Sequence, residues 1–172
     1  MFAGLAKFST VDYPKKIVAT VFTPGCNFEC DYCHNHDLIK NRLEIQIISE
    51  DELIEFLDKR VKVLDGLCIS GGEPSLWNHD ILNFIKKLKE RYGENFLIKV
   101  DTNGSNPEFV KEASKYVDFI AIDFKAIDYS TFSNIEKEKV LESIKQADKL
   151  AKDYEVRITM YPDYIKISDF QQ

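Results

Sequence analysis

Short apolar runs alternate along the chain with longer stretches whose apolar residues recur at helical spacing. Ile17–Phe22 (IVATVF) reads as a first strand, closed by the turn-forming Thr23-Pro24-Gly25. Ser49 followed by Glu52 is a capping box that starts a helix over about Glu50–Val63. Leu67–Ser70 (LCIS) is a second strand, stopped by Gly71-Gly72. From Asp80 to about Tyr92 the apolar residues Ile81, Leu82, Phe84, Ile85 and Leu88 fall on one helical face, and Gly93 closes it. A third strand, Phe96–Val100 (FLIKV), ends at Asp101-Thr102-Asn103-Gly104. Pro107 suits the first turn of a helix running to about Tyr116. Phe119–Phe124 (FIAIDF) is a fourth strand, a helix spans about Glu136–Lys152, and Tyr154–Met160 (YEVRITM) is a fifth strand before Pro162.

This alternation predicts an α/β fold with a parallel sheet and helices packed outside it. Right-handed crossovers would curl the sheet into a partial (βα) barrel rather than a closed ring of eight. At 172 residues the expectation is a single domain, 1–172, able to bury a core without disulfide staples. The chain stops soon after the fifth strand, at Phe170-Gln171-Gln172, so it reads as short at its C-terminus. The cysteine loop, Gly71–Pro74, Asp101–Gly104 and Asp123–Lys125 all follow the C-terminal end of a strand. In parallel α/β folds that edge carries the ligand site.

Charge and composition narrow the function classes. A net charge of −6 argues against a general nucleic-acid binder, which would show a basic face. No apolar run reaches bilayer length, and the N-terminus has no secretory apolar core. A cytoplasmic, reducing setting is therefore expected, with the cysteines as free thiols.

Three of the four cysteines fall in Cys26-Asn-Phe-Glu-Cys30-Asp-Tyr-Cys33, a C-x3-C-x2-C loop. Thiolates this close can turn onto one metal centre and are the soft ligands that iron–sulfur clusters take. Three thiolates on a four-iron cluster leave one iron open, which suits catalysis better than electron transfer. A zinc site would need His34 or His36 as a fourth ligand. Cys68, between Leu67 and Ile69, reads as a core thiol. Two glycines in Ser70-Gly71-Gly72-Glu73-Pro74 would let backbone approach a ligand, and a carboxylate there could accept from an ammonium. Arg157 is unusual in its apolar strand, and reads either as pointing into the mouth or as paired with a rim aspartate.

The cysteine loop, with Tyr32 as the aromatic residue before its last cysteine, resembles the hallmark of the radical S-adenosylmethionine (SAM) superfamily. The resemblance implies a [4Fe–4S] cluster on Cys26, Cys30 and Cys33, with SAM's amine and carboxylate on the open iron. It implies that Gly71, Gly72 and Glu73 hold the SAM amine. Asp101, Thr102, Asn103, Asp123 and Lys125 resemble residues lining the SAM site of activating enzymes for glycyl-radical enzymes. There the aspartates help to fix SAM, sometimes through a monovalent cation, and the lysine faces its carboxylate. His34 and Asn35 would shield the cluster or hydrogen-bond it.

Gly4–Pro14, Thr23–Asn27, Cys33-His34-Asn35, the run at 101–105 and Asp123–Ala126 are similar to the group of anaerobic ribonucleoside-triphosphate reductase activating proteins. That likeness implies abstraction of a hydrogen atom from a glycine of a partner reductase, with an electron donor such as flavodoxin or ferredoxin. Other readings are an activase of the pyruvate formate-lyase type, a small-molecule radical SAM enzyme, and a non-catalytic iron–sulfur or zinc module. Cys30→Ala should abolish retention of iron and sulfide after reconstitution, and Cys68→Ala should leave it intact. Loss in both variants would overturn this ligand set.

Overall fold

A computed structural model of the chain describes residues 1–40 and 47–170. Its strands β1 (Gly4–Ser9), β2 (Val18–Thr23), β3 (Gly66–Gly71), β4 (Leu97–Thr102), β5 (Phe119–Phe124) and β6 (Tyr154–Ile158) lie side by side in chain order. From β2 to β6 every pair is parallel, whereas β1 joins β2 antiparallel. The ends of the sheet do not meet, which makes it the partial barrel expected. Helices α1 (His36–Lys40), α2 (Glu50–Asp58), α3 (Asn78–Tyr92), α4 (Pro107–Ala113) and α5 (Lys137–Leu150) lie in the connections. No helix among the described residues is long and apolar enough to cross a membrane.

Two local readings are corrected. The antiparallel β1 has no counterpart among the expected strands. It is an edge strand with Phe8 61% exposed, so its sequence carries no buried stripe. Helix α2 starts at the predicted capping box, with Ser49 Oγ accepting from Glu52 N at 3.2 Å and Glu52 Oε2 accepting from Ser49 N at 2.7 Å. It stops at Asp58 instead of Val63, where Arg60 N and Val63 N donate three residues back, to Leu57 O and Arg60 O. Leu64 and Val61 still reach the main core while Val63 is 69% exposed, so the segment turns tightly onto the sheet instead of extending the helix.

Strand parity separates two faces. Val21, Leu67, Ile69, Ile98, Val100, Ile120 and Ile122 join the main core with helix residues such as Leu53, Leu57, Ile81, Ile85 and Leu88. The alternate positions build a smaller inner cluster of Val18, Cys68, Phe119 and Ala121, closed by Tyr13 from the segment after β1. Towards the C-terminal ends of the strands the inner positions are polar: Ser70, Asp101, Asp123 and Arg157. The helices therefore bury one face of the sheet, and the other becomes a hollow.

Backbone contact at the ends of β2 and β3 shapes the rim. Gly72 N donates to Thr23 O and Glu73 N to Gly25 O, both at 2.8 Å. A Cβ on Gly72 would lie 1.8 Å from Gly25 O, and one on Gly71 (φ 118°) 2.3 Å from Thr23 N. The paired glycines thus admit the neighbouring turn, a use the sequence does not announce. Gly72→Ala should lower the unfolding free energy by roughly 3 kcal/mol, because backbone on both sides cannot yield. Gly93→Ala, with open space around it, should lose only about 1 kcal/mol from its left-handed φ. Urea titrations of the two variants compare these values, and equal losses would contradict the close-approach argument.

Candidate active site

The turn before Cys26 is held from several elements. Besides the two bonds from Gly72 and Glu73, Trp77 Nε1 donates to Pro24 O at 2.9 Å and Gly25 N to Leu38 O at 3.0 Å. Asn103, at the end of β4, reaches the loop itself. Its Nδ2 donates to Asn27 Oδ1 at 2.8 Å and lies 3.8 Å from Cys26 Sγ. Asn27 Nδ2 in turn donates to Ser105 Oγ at 2.9 Å. Asn35 Nδ2 approaches Gly71 O at 3.4 Å.

These contacts bring the separate motifs to one cavity of about 430 Å³ at the C-terminal edge of the sheet. Cys26, Cys30, Cys33, Tyr32, Gly71, Gly72, Asp101, Thr102, Asn103, Asp123 and Lys125 all line it. Its volume falls in the range of small-molecule sites. Among the described residues no three His, Cys, Asp or Glu side chains are gathered tightly enough for a single metal ion. A four-iron cluster makes a different demand, since each thiolate binds a separate iron. Burial pushes the Cys26 and Cys30 thiols up to about 11, so binding metal there requires loss of a tightly held proton. Cys68 is fully buried in the inner cluster, away from this loop.

Glu73 is the one predicted site residue outside the cavity lining. It is fully buried and accepts from Thr102 Oγ1 at 2.6 Å, Asn103 N at 2.7 Å and Ser75 N at 2.9 Å. It braces the end of β3 against the end of β4. Burial raises its pKa, with the bonds from Asn103 and Thr102 acting in the opposite direction.

On the inner face a charged network spans three strands. Arg157 Nε donates to Asp123 Oδ1 at 2.7 Å and its Nη1 to Asp101 Oδ2 at 3.0 Å. Lys125 Nζ donates to Asp123 Oδ2 at 3.0 Å, and the ammonium of Lys99 pairs with Asp101 Oδ1. Both readings of Arg157 hold together, since it lines the cavity and bridges two aspartates. Burial alone would raise the Asp123 pKa, but Lys125 and Arg157 outweigh it and hold the carboxyl below its ordinary value. Burial likewise opposes the Lys125 charge, and Asp123 reverses the effect, so its pKa is raised. Lys125 Nζ also lies 5.7 Å from the centroid of the Tyr32 ring. The Tyr32 hydroxyl is buried and finds no hydrogen-bond partner among the described residues.

Sequence reasoning passed over Asp12 and Lys99. Asp12 lines the cavity and accepts from Thr20 Oγ1 at 2.5 Å. Lys99 carried the same signal that marked Arg157, a charge inside an apolar strand run.

The site and sheet together define a class. Residues 20–167 match the family model of the radical SAM superfamily, and the chain belongs to that superfamily. Membership implies a [4Fe–4S] cluster and SAM as cofactors. Within it, the chain is 33% identical to a Methanocaldococcus jannaschii protein assigned by name to the glycyl-radical enzyme activating enzymes, over 99% of this chain and 72% of that one. It is 29% identical to the pyruvate formate-lyase-activating enzyme of Clostridium pasteurianum, over 73% of this chain and 52% of that one. The chain thus spans about half the length of that activating enzyme. Among solved structures, anSMEcpe with bound AdoMet and the Cp18Cys peptide shares the fold at a TM-score of 0.60 and 16% identity, over 81% of this chain and 41% of that one.

The Glu73 brace yields a direct expectation. Glu73→Gln keeps the shape but turns an amide N–H toward one of three backbone or hydroxyl donors, so stability should fall by about 1–3 kcal/mol at pH 7. The native carboxyl has a raised folded-state pKa, so its contribution is fullest below the unfolded pKa and declines as pH rises through the folded value. The deficit of the variant should therefore widen toward low pH in urea titrations, and a pH-independent deficit would contradict the buried-carboxyl account.

Proposed function

We propose that this chain is a glycyl-radical-enzyme activase that cleaves SAM reductively at a [4Fe–4S] cluster held by Cys26, Cys30 and Cys33. The observation that carries this reading is the meeting of all three thiols with the ends of β3, β4 and β5 in a single cavity. When bound, the cluster supplies the electron that splits SAM into methionine and a 5′-deoxyadenosyl radical, the species that removes a glycine hydrogen.

The protein's share is positioning. Lys125, kept charged by Asp123 and set over the Tyr32 ring, would pair with the SAM carboxylate. Asn103 holds the cysteine loop through Asn27 and stands beside Cys26 Sγ, where it tunes the ligand. Glu73 acts through Thr102 and Asn103, and the backbone around Gly71 and Gly72 is left to meet the SAM amine. Arg157 holds Asp101 and Asp123 at the cavity wall.

The finer assignment is anaerobic ribonucleoside-triphosphate reductase as the protein substrate, supported by the likeness of the N-terminal block, Gly4–Pro14. A second assignment, an activase of the pyruvate formate-lyase type, is favoured by the similarity to the Clostridium pasteurianum enzyme. An electron donor of the flavodoxin or ferredoxin kind would reduce the cluster in either case. The test is anaerobic: reconstitute with iron and sulfide, add SAM and dithionite, and assay 5′-deoxyadenosine. Its formation, followed by a glycyl-radical EPR signal on one of the two candidate partners, is the expected result. A cluster that forms but leaves SAM intact would refute the activase reading.

A further inference from the structure

Asp101, Thr102 and Asp123 supply the hard oxygens that would suit the monovalent cation implied by the resemblance to the activating enzymes, and the side chains around them do not fit that role. Asp101 Oδ1 takes the ammonium of Lys99, while Asp101 Oδ2 takes Arg157 Nη1 at 3.0 Å. Asp123 Oδ1 takes Arg157 Nε at 2.7 Å and its Oδ2 takes Lys125 Nζ at 3.0 Å. Each of the four carboxylate oxygens already carries a cationic donor. Thr102 Oγ1 is committed as well, donating to Glu73 at 2.6 Å and accepting from Gly104 N at 3.2 Å.

Lys99 is the decisive residue. It is 1% exposed on the inner face, level with Cys68 of β3 and Phe119 of β5, and its Nζ lies 5.7 Å from the Phe119 ring centroid. A buried ammonium among apolar neighbours is stable only with a partner, and Asp101 supplies it. A sodium or potassium ion on the same carboxylate would crowd a further positive charge between Lys99 and Arg157.

We infer that Lys99 and Arg157 are resident cations that hold Asp101 and Asp123 in place for SAM, so that this chain binds SAM without a monovalent metal ion. Lys99 is a positioning residue in this scheme, acting through Asp101. The inference rests on the SAM-binding reading above.

Anaerobic calorimetry measures SAM affinity of the cluster-reconstituted protein in choline, sodium and potassium chloride at equal ionic strength. The native affinity should agree among the three salts, whereas Lys99→Met should bind SAM roughly tenfold more weakly in choline than in potassium or sodium, an ordinary size for coupling between two bound species. A native protein that needs sodium or potassium overturns the inference, as does a Lys99→Met variant whose SAM affinity is independent of the salt. Absence of SAM binding in all three salts defeats the SAM reading itself, and the inference with it. A second measurement needs no variant: the thermal midpoint of the native protein before cluster loading should be the same in the three salts. A rise specific to sodium or potassium would show an alkali ion on these carboxylates and overturn the inference.

Discussion

Two carboxylates and three cations share the inner face of the sheet, at the edge where its strands end. Asp101 and Asp123 lie on neighbouring strands, and a carboxylate placed there without a partner would be a poorly solvated charge. Arg157 spans both from β6, so the last strand is tied to β4 as well as to its neighbour β5. Loss of one partner from a buried pair such as Lys99–Asp101 typically costs about 3–5 kcal/mol, far more than an exposed pair such as Lys59–Glu55 contributes. The mouth of the barrel is thus shaped by charge where the rest of the sheet is shaped by apolar packing.

The cysteine loop hangs on that edge by different means. Its entry turn is a backbone-to-backbone fit, with Gly72 against Gly25, and side chains add the Trp77, Asn103 and Asn27 bonds. The rest of the loop is held from the C-terminal side of the sheet. Glu29 N donates to Phe132 O at 2.9 Å, and Asp31 N to Tyr164 Oη at 3.2 Å. Cys26 is kept in register with β3 and β4, while Cys30 and Cys33 are carried by the segments after β5 and β6. Glu73 serves the same end from beneath, since its three donors lock Asn103 to the end of β3.

Most of the scaffold could be read from periodicity because burial and pattern coincide. Phe119–Phe124 has the bounds of β5, and Ile81 to Leu88 mark the buried face of α3. Reading failed where burial gives no signal, as in the exposed β1 and the frayed end of α2. At the site, the strand ends told which residues meet, and eleven of the twelve expected positions line one cavity. Strand ends do not tell which way a side chain turns. Glu73 looks like a ligand in a glycine-rich motif, yet the turn that follows it points the carboxylate into the protein. Lys99 carried a signal that was passed over: Asp101 lies two residues on, the same face of a strand, although the second partner of Asp101, Arg157, reaches it only through the sheet order.

The same geometry bears on why the cavity is charged at all. Lys99, Lys125 and Arg157 are matched by Asp101, Asp123 and Asp12, the last bonded to Thr20 on the same face. Burial raises the proton affinity of the Cys26 and Cys30 thiols. In the proposed function, thiolates formed on metal binding and a carboxylate on the incoming ligand would both add negative charge to this balanced set. Lys125 stands between the two, bonded to Asp123 and resting over Tyr32 beside the cysteines, so the field that favours one favours the other. On that reading Lys125 is the cation that both would draw on, because it is the one placed between the Asp123 carboxylate and the Tyr32 ring of the cysteine loop.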